Sequence, residues 1–412
     1  MTDTKFATLL KRGVAEIIIE AELLRLLNSG RILTLKQGFD PSAPDIHLGH
    51  VVGLRKLRQF QEFGHKVILV VGDWTARIGD PSGQSATRPM LSPDEIRRNA
   101  ETYMQQFFKV VDKDKTELRW QSEWFSQFTL DEVIKLTSKF TIAQLLARED
   151  FNKRYGSGNP ISLTEMLYPL LQGYDSVAIK ADIEFGGIDQ KFNCLVGREL
   201  QQSVGQPPQQ VFLVPLLVGT DGHQKMSKSL HNHIGIAELP PEIYGKVMSI
   251  PDSLILDYFE LVSDISEQEI AEFREQLKTR SVNPMNLKKR LAHEIVRQFH
   301  GKQAADDAQQ DFETRRQTRE LRKVSVGIKV KVSVEPIHRR DMPRWLVNNK
   351  FAKSMSEARR LLAQGAVRII RVDGTTQVVR DETVRIEPGD KIKVGKFHLA
   401  EAEIVDADKE KA

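Results

Sequence analysis

The sequence predicts an α/β fold with a doubly wound, Rossmann-like parallel sheet. Two apolar, β-branched runs of strand length, RILTLKQGF and KVILVVGDW, flank a stretch with helical hydrophobic spacing, HLGHVVGLRKLRQFQEFG. A strand, a helix and a strand in this order form a right-handed βαβ unit and therefore a parallel sheet. A second series follows, with strands at ADIEF and QVFLVPLLVG around another helix. Two such series are typical of a sheet that is wound in both directions from its centre.

Helix signals and breaks in the strand pattern divide the chain into segments. Ser92 and Pro93 can begin the helix that follows the second strand. Mostly helical patterns at about 117–179 separate the two strand series, so we expect a helical insertion there. The strand pattern stops after Ser229, and we expect residues 1–230 to form the domain that contains the sheet.

The rest of the chain is predicted to form two smaller domains. Amphipathic helical patterns fill residues 231–322, and Ser266 with Glu269 forms a capping-box pattern at the start of one helix. Residues 323–341 are basic and β-prone, and we expect a linker there. At 342–412 two short helical patterns precede the strand-like runs VRIIRVDG and DKIKVG, which predicts a small α+β domain.

Composition indicates a globular protein without disulfides. The hydrophobic fraction is 40% and the charged fraction is 28%. No apolar run approaches the roughly 20 residues of a membrane span, and the N-terminal stretch MTDTKFATLLKRG has no apolar signal core. We therefore expect a cytoplasmic protein that does not bind membranes. Cys194 is the single cysteine, which excludes an intramolecular disulfide and disfavours a cysteine-ligated zinc site.

The net charge of +4 is concentrated near the end of the chain. Residues 338–412 contain 16 Lys and Arg against 12 Asp and Glu, whereas the preceding 337 residues contain 44 of each. Up to Ala400, this last segment has 14 basic and 7 acidic residues. Both a solvated face and a phosphate-binding module are consistent with such an excess.

Two histidines open the helix after the first strand, in the stretch DIHLGH. A metal site, two ordinary polar residues and a phosphate cradle are the competing explanations. Helical zinc pairs are spaced i, i+4 around a glutamate, but His47 and His50 are three apart and enclose Leu48 and Gly49. A helix N-terminus after a parallel strand offers free N–H groups and a positive dipole end, and Gly49 lets a ligand approach the backbone. The position therefore favours the phosphate cradle.

A second motif, DGHQKMSKS, follows the strand QVFLVPLLVG. An ordinary solvated loop would explain two lysines and two serines in five residues. A mobile loop with Lys225 and Lys228 is also suited to binding a triphosphate whose charge shifts during a reaction.

Together, HLGH and KMSKS resemble the two signatures of class I aminoacyl-tRNA synthetases. Within that class, GFDPSAPDIHLGH, GDPSG, YPLLQGYDS and GGIDQKFN are similar to blocks of the tyrosyl-tRNA synthetases of bacterial type, over nearly the whole chain. The resemblance implies a tyrosine–tRNA ligase that forms tyrosyl-adenylate from tyrosine and ATP with Mg²⁺ and transfers the tyrosyl group to tRNA(Tyr). It also implies an anticodon-binding role for the helical domain and a homodimer joined through the helical insertion.

The resemblance also implies a role for each residue that matches a family motif. Charge stabilisation during catalysis would come from His47, His50, Lys225 and Lys228. ATP would be bound by Asp40, Ser42, Gly49, Asp189, Met226, Ser227 and Ser229. Tyrosine would be bound by Thr75, Asp80, Tyr168, Gln172, Asp175, Gln190 and Lys36. No protein metal site is implied.

Three tyrosine-pocket residues also share one face of a predicted helix. Tyr168, Gln172 and Asp175 are spaced by four and three. A core tyrosine with two surface polar groups would give the same spacing. The family pattern instead implies that Tyr168 and Gln172 bind the substrate ammonium, helped by Asp80 and Thr75. Asp175 would then accept the phenolic proton.

The sequence departs from the better-known bacterial pattern at two places. Lys36 stands where a tyrosine supplies a second contact to the phenol, which indicates a distinct sub-branch with Lys36 in the pocket. Gln84 replaces a lysine near GDPSG, and Arg88 could supply the missing charge.

The C-terminal stretch DMPRWLVNNKFAKSMSEARRLLAQGAVRII resembles the S-four RNA-binding fold. RNA recognition through a shape-matched basic surface fits its composition. The residues that could contact backbone phosphates are Arg344, Lys350, Lys353, Arg359 and Arg360.

Three other functions remain open at this point. A tryptophanyl-tRNA synthetase-like ligase would share the architecture, but Gln172, the GGIDQ block and the basic tail argue against it. A non-catalytic RNA-binding protein on the same fold would not need intact HLGH and KMSKS motifs. A small-molecule adenylyltransferase could use the histidine motif but would not need the tail.

Overall fold

The computed structural model describes residues 6–42, 44–82, 91–324, 328–332, 337–338, 340–380, 383–395 and 398–404. Gln84 and Arg88 lie outside these described residues. The chain divides into two compact units, 1–309 and 310–412. The finer domain boundaries expected near 230, 322 and 341 remain predictions.

A six-stranded sheet forms the centre of the first unit. Its strands are β1 (Glu16–Ile17), β2 (Thr34–Phe39), β3 (Lys66–Val71), β4 (Thr116–Trp120), β5 (Ile183–Gly187) and β6 (Gln210–Val214). Their order across the sheet is β1-β6-β5-β2-β3-β4. The strands from β2 to β6 pair in parallel, and β1 is antiparallel to β6. The chain therefore winds from β2 towards one edge and from β5 towards the other, which confirms the predicted doubly wound fold.

Helices connect these strands and form the rest of the unit. Up to the second strand series they are α1 (Ala7–Lys11), α2 (Glu20–Leu27), α3 (Leu48–Glu62), α4 (Thr75–Ile78), α5 (Pro93–Phe107), α6 (Ser122–Phe125), α7 (Leu130–Thr137), α8 (Ile142–Leu146), α9 (Glu149–Gly156) and α10 (Leu163–Ile179). The later helices are α11 (Lys191–Ser203), α12 (Pro240–Ser249), α13 (Ile255–Val262), α14 (Glu267–Lys278) and α15 (Pro284–His300). Helix α16 (Lys302–Val324) begins in the first unit and continues into the second.

Local sequence signals explain where several helices begin. Ser92 caps α5 by accepting the Glu95 N–H at 3.3 Å, with Pro93 at the first helical position. Ser266 caps α14 by accepting the Glu269 N–H at 3.2 Å, as its capping-box pattern predicts. Within the described residues, no helix combines the length and apolarity that crossing a bilayer requires.

Aromatic packing fixes helix α3 against the sheet. The ring of Phe60, which is fully buried, lies 5.1 Å from Phe185 of β5 and 5.6 Å from Phe212 of β6, measured between centroids. Both contacts are edge-to-face, the geometry that aromatic quadrupoles favour. Because α3 begins with the HLGH motif, this packing also positions the start of that helix.

The sequence does not predict strand β4, whose residues fall mostly in the range assigned to the helical insertion. Its five residues, TELRW, contain two charged side chains and are all only half-buried. As the outermost strand next to β3, β4 needs no continuous apolar run. The missing hydrophobic signal is therefore a consequence of its edge position.

The second unit contains a five-stranded sheet and two short helices. The strands are β7 (Ile328–Val332), β8 (Val367–Ile370), β9 (Thr376–Val379), β10 (Lys391–Val394) and β11 (His398–Ile404), and the helices are α17 (Met342–Asn348) and α18 (Met355–Ala363). The strand order is β7-β11-β10-β8-β9. The predicted strands at VRIIRVDG and DKIKVG are confirmed as β8 and β10.

Strand β7 lies within the range 323–341, which the sequence predicts to be a linker. Its sequence, IKVKV, alternates apolar and charged residues, and it pairs in parallel with β11. The C-terminal sheet therefore includes a strand that precedes the predicted start of the domain at 342.

Candidate active site

The carboxyl ends of the parallel strands open into a pocket of about 330 Å³. It lies where the winding direction changes between β2 and β5, the position at which open α/β sheets bind ligands. Most of the predicted site residues line it: His47, His50, Lys225, Asp40, Ser42, Gly49, Asp189, Met226, Ser227, Thr75, Asp80, Tyr168, Gln172, Asp175 and Gln190. Three do not: Lys36, Lys228 and Ser229.

His47 and His50 cap helix α3. The His47 Nδ1 accepts a hydrogen bond from the Gly49 N–H at 3.1 Å, and the His50 Nδ1 accepts one from the His47 N–H at 3.2 Å. The pair forms a capping box in which imidazoles replace the usual hydroxyl and carboxylate groups. Because each Nδ1 accepts a bond, a neutral ring must carry its proton on Nε2.

Burial keeps both rings neutral near pH 7. Burial, together with the nearby positive charge of Lys228, lowers the pKa of His50 to about 4. Burial also lowers the pKa of His47 well below its ordinary value, with His50 and Lys228 contributing. Each ring can therefore offer one N–H donor to a ligand but no positive charge.

Gly49 is required by the cap itself. A Cβ at this position would lie 2.9 Å from two atoms of the His47 ring, closer than real contacts allow. The sequence predicts that Gly49 makes room for a ligand. The structure shows that it first makes room for the His47 side chain, which could not cap the helix otherwise.

The two lysines of the KMSKS motif have different surroundings. The Lys225 Nζ lies 2.9 Å from the Asp189 Oδ2, inside the pocket. The Lys228 Nζ donates to the main-chain oxygen of Asp45, just before helix α3. Partial burial lowers the pKa of Lys228 to about 8, which leaves it mostly charged at pH 7. The Ser229 hydroxyl is 2.9 Å from that of Ser227 and does not line the pocket.

Asp40 links residues that the sequence assigns to the tyrosine site. The Tyr168 hydroxyl donates to one oxygen of Asp40 at 2.8 Å, and the Thr75 hydroxyl donates to the other at 2.6 Å. The sequence assigns Asp40 to ATP, but both of these partners belong to the predicted tyrosine site. Asp40 therefore lies where the two predicted sites meet.

An amide network continues along the same side of the pocket. The Asn193 side chain donates to the Oε1 atoms of Gln172 and Gln190, at 2.9 Å each. The Gln190 Nε2 donates in turn to Asp80 at 2.8 Å. These bonds hold the polar groups of α10, of the start of α11 and of the loop after α4 in fixed orientations.

Asp175 is buried among the residues that the sequence assigns to tyrosine binding. One carboxylate oxygen accepts from the Gln121 Nε2 at 2.9 Å and the other from the Trp124 Nε1 at 3.2 Å. Burial raises the pKa of Asp175 to about 7, although the nearby charge of Lys36 opposes this effect. The carboxyl group therefore changes its protonation state close to neutral pH.

Lys36 lies outside the pocket lining, where its partners are protein groups. Its fully buried ammonium donates to the Gln172 main-chain oxygen and to the Ser176 hydroxyl, at 2.7 Å each, and lies 3.0 Å from a Glu184 oxygen. A buried ammonium requires such acceptors because it has lost its water. The structure thus places Lys36 next to the residues that hold the pocket wall rather than at the wall itself.

Several residues of this network were not singled out from the sequence. Gln121 follows β4, the strand that the sequence does not predict, so its position at the same sheet edge could not be foreseen. Glu184 lies within the predicted strand ADIEF and is the register partner of Lys36. Asn193 ends the GGIDQKFN block, and that block is the one sequence signal that marks it. In the part of the chain that the structure describes, no cluster of His, Cys, Asp and Glu is arranged to hold a metal ion.

Comparison with known proteins identifies the family. Residues 28–317 match the family model for class I tRNA synthetases (W and Y). The tyrosine–tRNA ligase of Dehalococcoides mccartyi strain CBDB1 is 56% identical over 402 residues, which cover 97% of this chain and 99% of that protein. This chain belongs to the tyrosine–tRNA ligases.

Other members of the family agree with this assignment. The tyrosine–tRNA ligase of Thermotoga maritima is 47% identical over 398 residues, 96% of each chain. The tyrosyl-tRNA synthetase of Archaeoglobus fulgidus, solved with L-tyrosine, superposes with a TM-score of 0.61 at 24% identity. It covers 75% of this chain and all of its own, which shows a shared fold. The predicted enzyme class and the bacterial-type tyrosyl branch are confirmed, and the three other functions are not supported.

The buried pair of Lys36 and Glu184 gives a prediction about stability. Lys36→Met should lower the free energy of unfolding by about 3–5 kcal/mol, because it leaves the Glu184 carboxylate buried without its partner. Lys36→Met combined with Glu184→Gln should recover most of the loss, since no charge then remains. Urea denaturation of both variants and the parent measures this. A double variant as unstable as the single one would contradict it.

Proposed function

We propose that the pocket binds tyrosine and ATP at the same time and catalyses both steps of tRNA charging. A tyrosine carboxylate oxygen attacks the α-phosphorus of ATP, supplied with Mg²⁺, and the bond to pyrophosphate breaks. The terminal ribose hydroxyl of tRNA(Tyr) then attacks the carbonyl carbon of tyrosyl-adenylate, and AMP leaves. The observation that carries the proposal is that 15 predicted substrate-binding and catalytic residues line one pocket at the switch point.

At the tyrosine end, we assign recognition of the phenol to Asp175. An ionised carboxylate can only accept hydrogen bonds, and the phenol has a proton to donate. Phenylalanine would leave that buried carboxylate without this bond, which disfavours its binding. At the other end, the carboxylate of Asp80 and the side-chain oxygens of Tyr168 and Gln172 can accept bonds from the substrate ammonium.

At the ATP end, donors and charges come from different residues. The Nε2–H groups of His47 and His50 supply neutral donors, and Lys225 and Lys228 supply positive charge for the phosphates. Asp189 is suited to bind the ribose, as the family pattern implies. When ATP binds, the contact between Asp189 and Lys225 would be replaced by a contact of Asp189 with the ribose and one of Lys225 with the phosphates.

We also propose that the C-terminal unit binds RNA. All five predicted contact residues are exposed, on α17, on α18 or between them: Arg344, Lys350, Lys353, Arg359 and Arg360. Exposed basic side chains on one short segment can bind phosphates without reading a sequence.

A homodimer formed through the helical insertion is a further part of the proposal. Large apolar side chains are exposed on α7, α8, α9 and α10: Leu130, Ile134, Ile142, Tyr155 and Leu163. Exposed large apolar side chains are expected on a surface that a partner covers. We place the protein in the cytoplasm, where its one cysteine, Cys194, would remain a free thiol.

The protonation of Asp175 predicts a pH-dependent preference for tyrosine. Its pKa is raised to about 7, so the carboxyl group is protonated below this pH and ionised above it. The ratio of kcat/KM for tyrosine over phenylalanine in pyrophosphate exchange should therefore increase as pH rises through about 7. Taking the ratio cancels any titration of Lys228, which acts on ATP for both substrates. Asp175→Asn should make the ratio low and flat, and an unchanged rise in this variant would contradict the assignment.

Removal of the Lys228 charge should slow activation without weakening tyrosine binding. Lys228→Ala is expected to reduce the rate of tyrosyl-adenylate formation about a hundredfold, because its contact strengthens as phosphate charge develops. Pyrophosphate exchange with varied ATP and tyrosine measures both effects. Lys288→Ala, which breaks the ion pair with Asp252 at 2.6 Å, is the matched control. Normal exchange in Lys228→Ala would remove the proposed role of the motif.

Neutralising the basic helices should affect charging of tRNA but not activation of tyrosine. A variant with four alanines should keep its pyrophosphate exchange, lose most aminoacylation at physiological salt and show a smaller salt dependence. The four substituted residues are Lys350, Lys353, Arg359 and Arg360. The control carries alanine at four exposed basic positions around the sheet of the same unit: Arg368, Arg380, Arg385 and Lys391. Equal charging by both variants and the parent would show that α17 and α18 are not an RNA surface.

A further inference from the structure

Asn232 is a buried side chain just after the KMSKS motif, with 2% of its surface exposed. Its Oδ1 accepts the Ser227 N–H at 2.8 Å. Its Nδ2 donates to the Asp221 Oδ2 at 2.7 Å and to the Lys225 main-chain oxygen at 3.1 Å. One amide group thus bonds three residues of the motif loop, which we define as residues 221–229.

Main-chain bonds close the motif loop around the same residue. The Thr220 N–H, before the loop, donates to the Asn232 main-chain oxygen at 2.9 Å. A Cβ on Gly219 would lie only 2.3 Å from the Asn232 Nδ2, so the chain passes the amide with no room for a side chain. The entry of the motif loop is therefore packed against Asn232.

The segment that follows Asn232 is attached to the histidine cap. The Leu48 N–H donates to the Ile234 main-chain oxygen at 2.9 Å, and the Ile236 N–H donates to that of Ile46 at 3.2 Å. These bonds flank His47, which caps helix α3. Asn232 therefore connects the motif loop to the chain segment that holds both histidines in place.

We propose that Asn232 is a positioning residue that holds the motif loop in the conformation in which Lys225 and Lys228 meet the ATP phosphates. The inference rests on the proposed phosphate-binding role of these lysines. The side chain of Asn232 must supply one acceptor and two donors at short range, a combination that an aspartate or an aliphatic residue lacks. Its loss would leave the Ser227 N–H, the Lys225 oxygen and Asp221 without their partner.

In the contact between Asn232 and Asp221, the amide donates and the carboxylate accepts, and this direction allows a specific test. Asn232→Ala removes all three side-chain bonds. Asn232→Asp keeps the size but sets two carboxylates against each other at the 2.7 Å contact. Adding Asp221→Asn to Asn232→Asp returns a donor to the pair, and the Ser227 N–H keeps an acceptor. The bond to the Lys225 oxygen is the one bond that this double variant does not restore.

Two measurements separate positioning from a general loss of stability. The first is the rate of trypsin cleavage after Lys225 and Lys228, which reports opening of the motif loop and needs no catalysis. The second is pyrophosphate exchange with ATP and tyrosine varied separately. Asn283→Ala is the matched control, because it removes the cap of α15, a bond from the Met285 N–H at 3.0 Å, elsewhere in the same unit.

We expect Asn232→Ala and Asn232→Asp to be cleaved in the motif loop at least about tenfold faster than the parent, and kcat for exchange to fall about 10- to 100-fold. The KM for tyrosine should stay within about twofold, because Asn232 contacts no residue of the tyrosine end. Asp221→Asn with Asn232→Asp should recover most of both losses. Asn283→Ala should leave both readouts unchanged.

Two results would overturn the inference. One is parent-like cleavage and exchange in Asn232→Ala. The other is a double variant that is as impaired as Asn232→Asp, because pairing a donor with an acceptor at positions 221 and 232 would then have no effect. Failure of the proposed function looks different, because normal exchange in Lys225→Ala and Lys228→Ala would remove the role of the lysines while leaving the cleavage result intact. Should Asn232→Ala not fold, the comparison of Asn232→Asp with the double variant decides the question.

Discussion

A buried ion pair joins the two halves of the sheet, and its lysine bonds Gln172, a residue of the pocket wall. Lys36 and Glu184 are register partners on β2 and β5, at the point where the direction of winding changes. At such a point the connections that follow the two neighbouring strands lead to opposite faces of the sheet, which leaves a crevice that can bind ligands. The same ammonium bonds the main chain of helix α10 at Gln172, so the helix that carries the tyrosine-pocket residues is attached to the sheet there.

Both members of the pair also influence the pKa of Asp175, in opposite directions. Asp175 is buried deeply enough for its pKa to rise to about 7, and the Lys36 charge is the strongest influence that opposes this rise. In the better-known bacterial pattern, a tyrosine stands at the position of Lys36, and its hydroxyl would contact the phenol of the substrate directly. In this chain a lysine there acts through its neighbours, because its ammonium is fully occupied by Gln172, Ser176 and Glu184.

The elements that the sequence predicts are those with strong local signals. Strands β3 and β6 are mostly apolar and buried, strands β2 and β5 are partly so, and both motif segments follow carboxyl ends of these strands. Strand β4 lacks such a run because it is a half-buried edge strand, so Gln121 could not be placed beside Asp175. The sequence also could not show that Glu184 pairs with Lys36. These residues become neighbours across two strands although they are 148 positions apart, and such a pairing leaves no local pattern in the sequence. Which nitrogen of each histidine carries the proton depends on the geometry of the helix cap, and the spacing of the motif does not specify that geometry.

In the proposed function, the two motifs divide the chemistry of phosphate binding in a way that follows from burial. Neutral imidazoles can be buried at a helix start because the cap satisfies their Nδ1 atoms, and their remaining N–H groups are fixed before ATP arrives. A positive charge is less stable at this buried helix start, because burial disfavours the charged form of a side chain. It is carried instead by flexible lysines on a loop, of which Lys225 is paired with Asp189 and Lys228 with a main-chain oxygen. Fixed donors and movable charges must then meet at the same phosphates, and this requires that the loop be attached to the cap. The strand-like pairing of residues 234–236 with 46–48, reached through Asn232, provides this attachment.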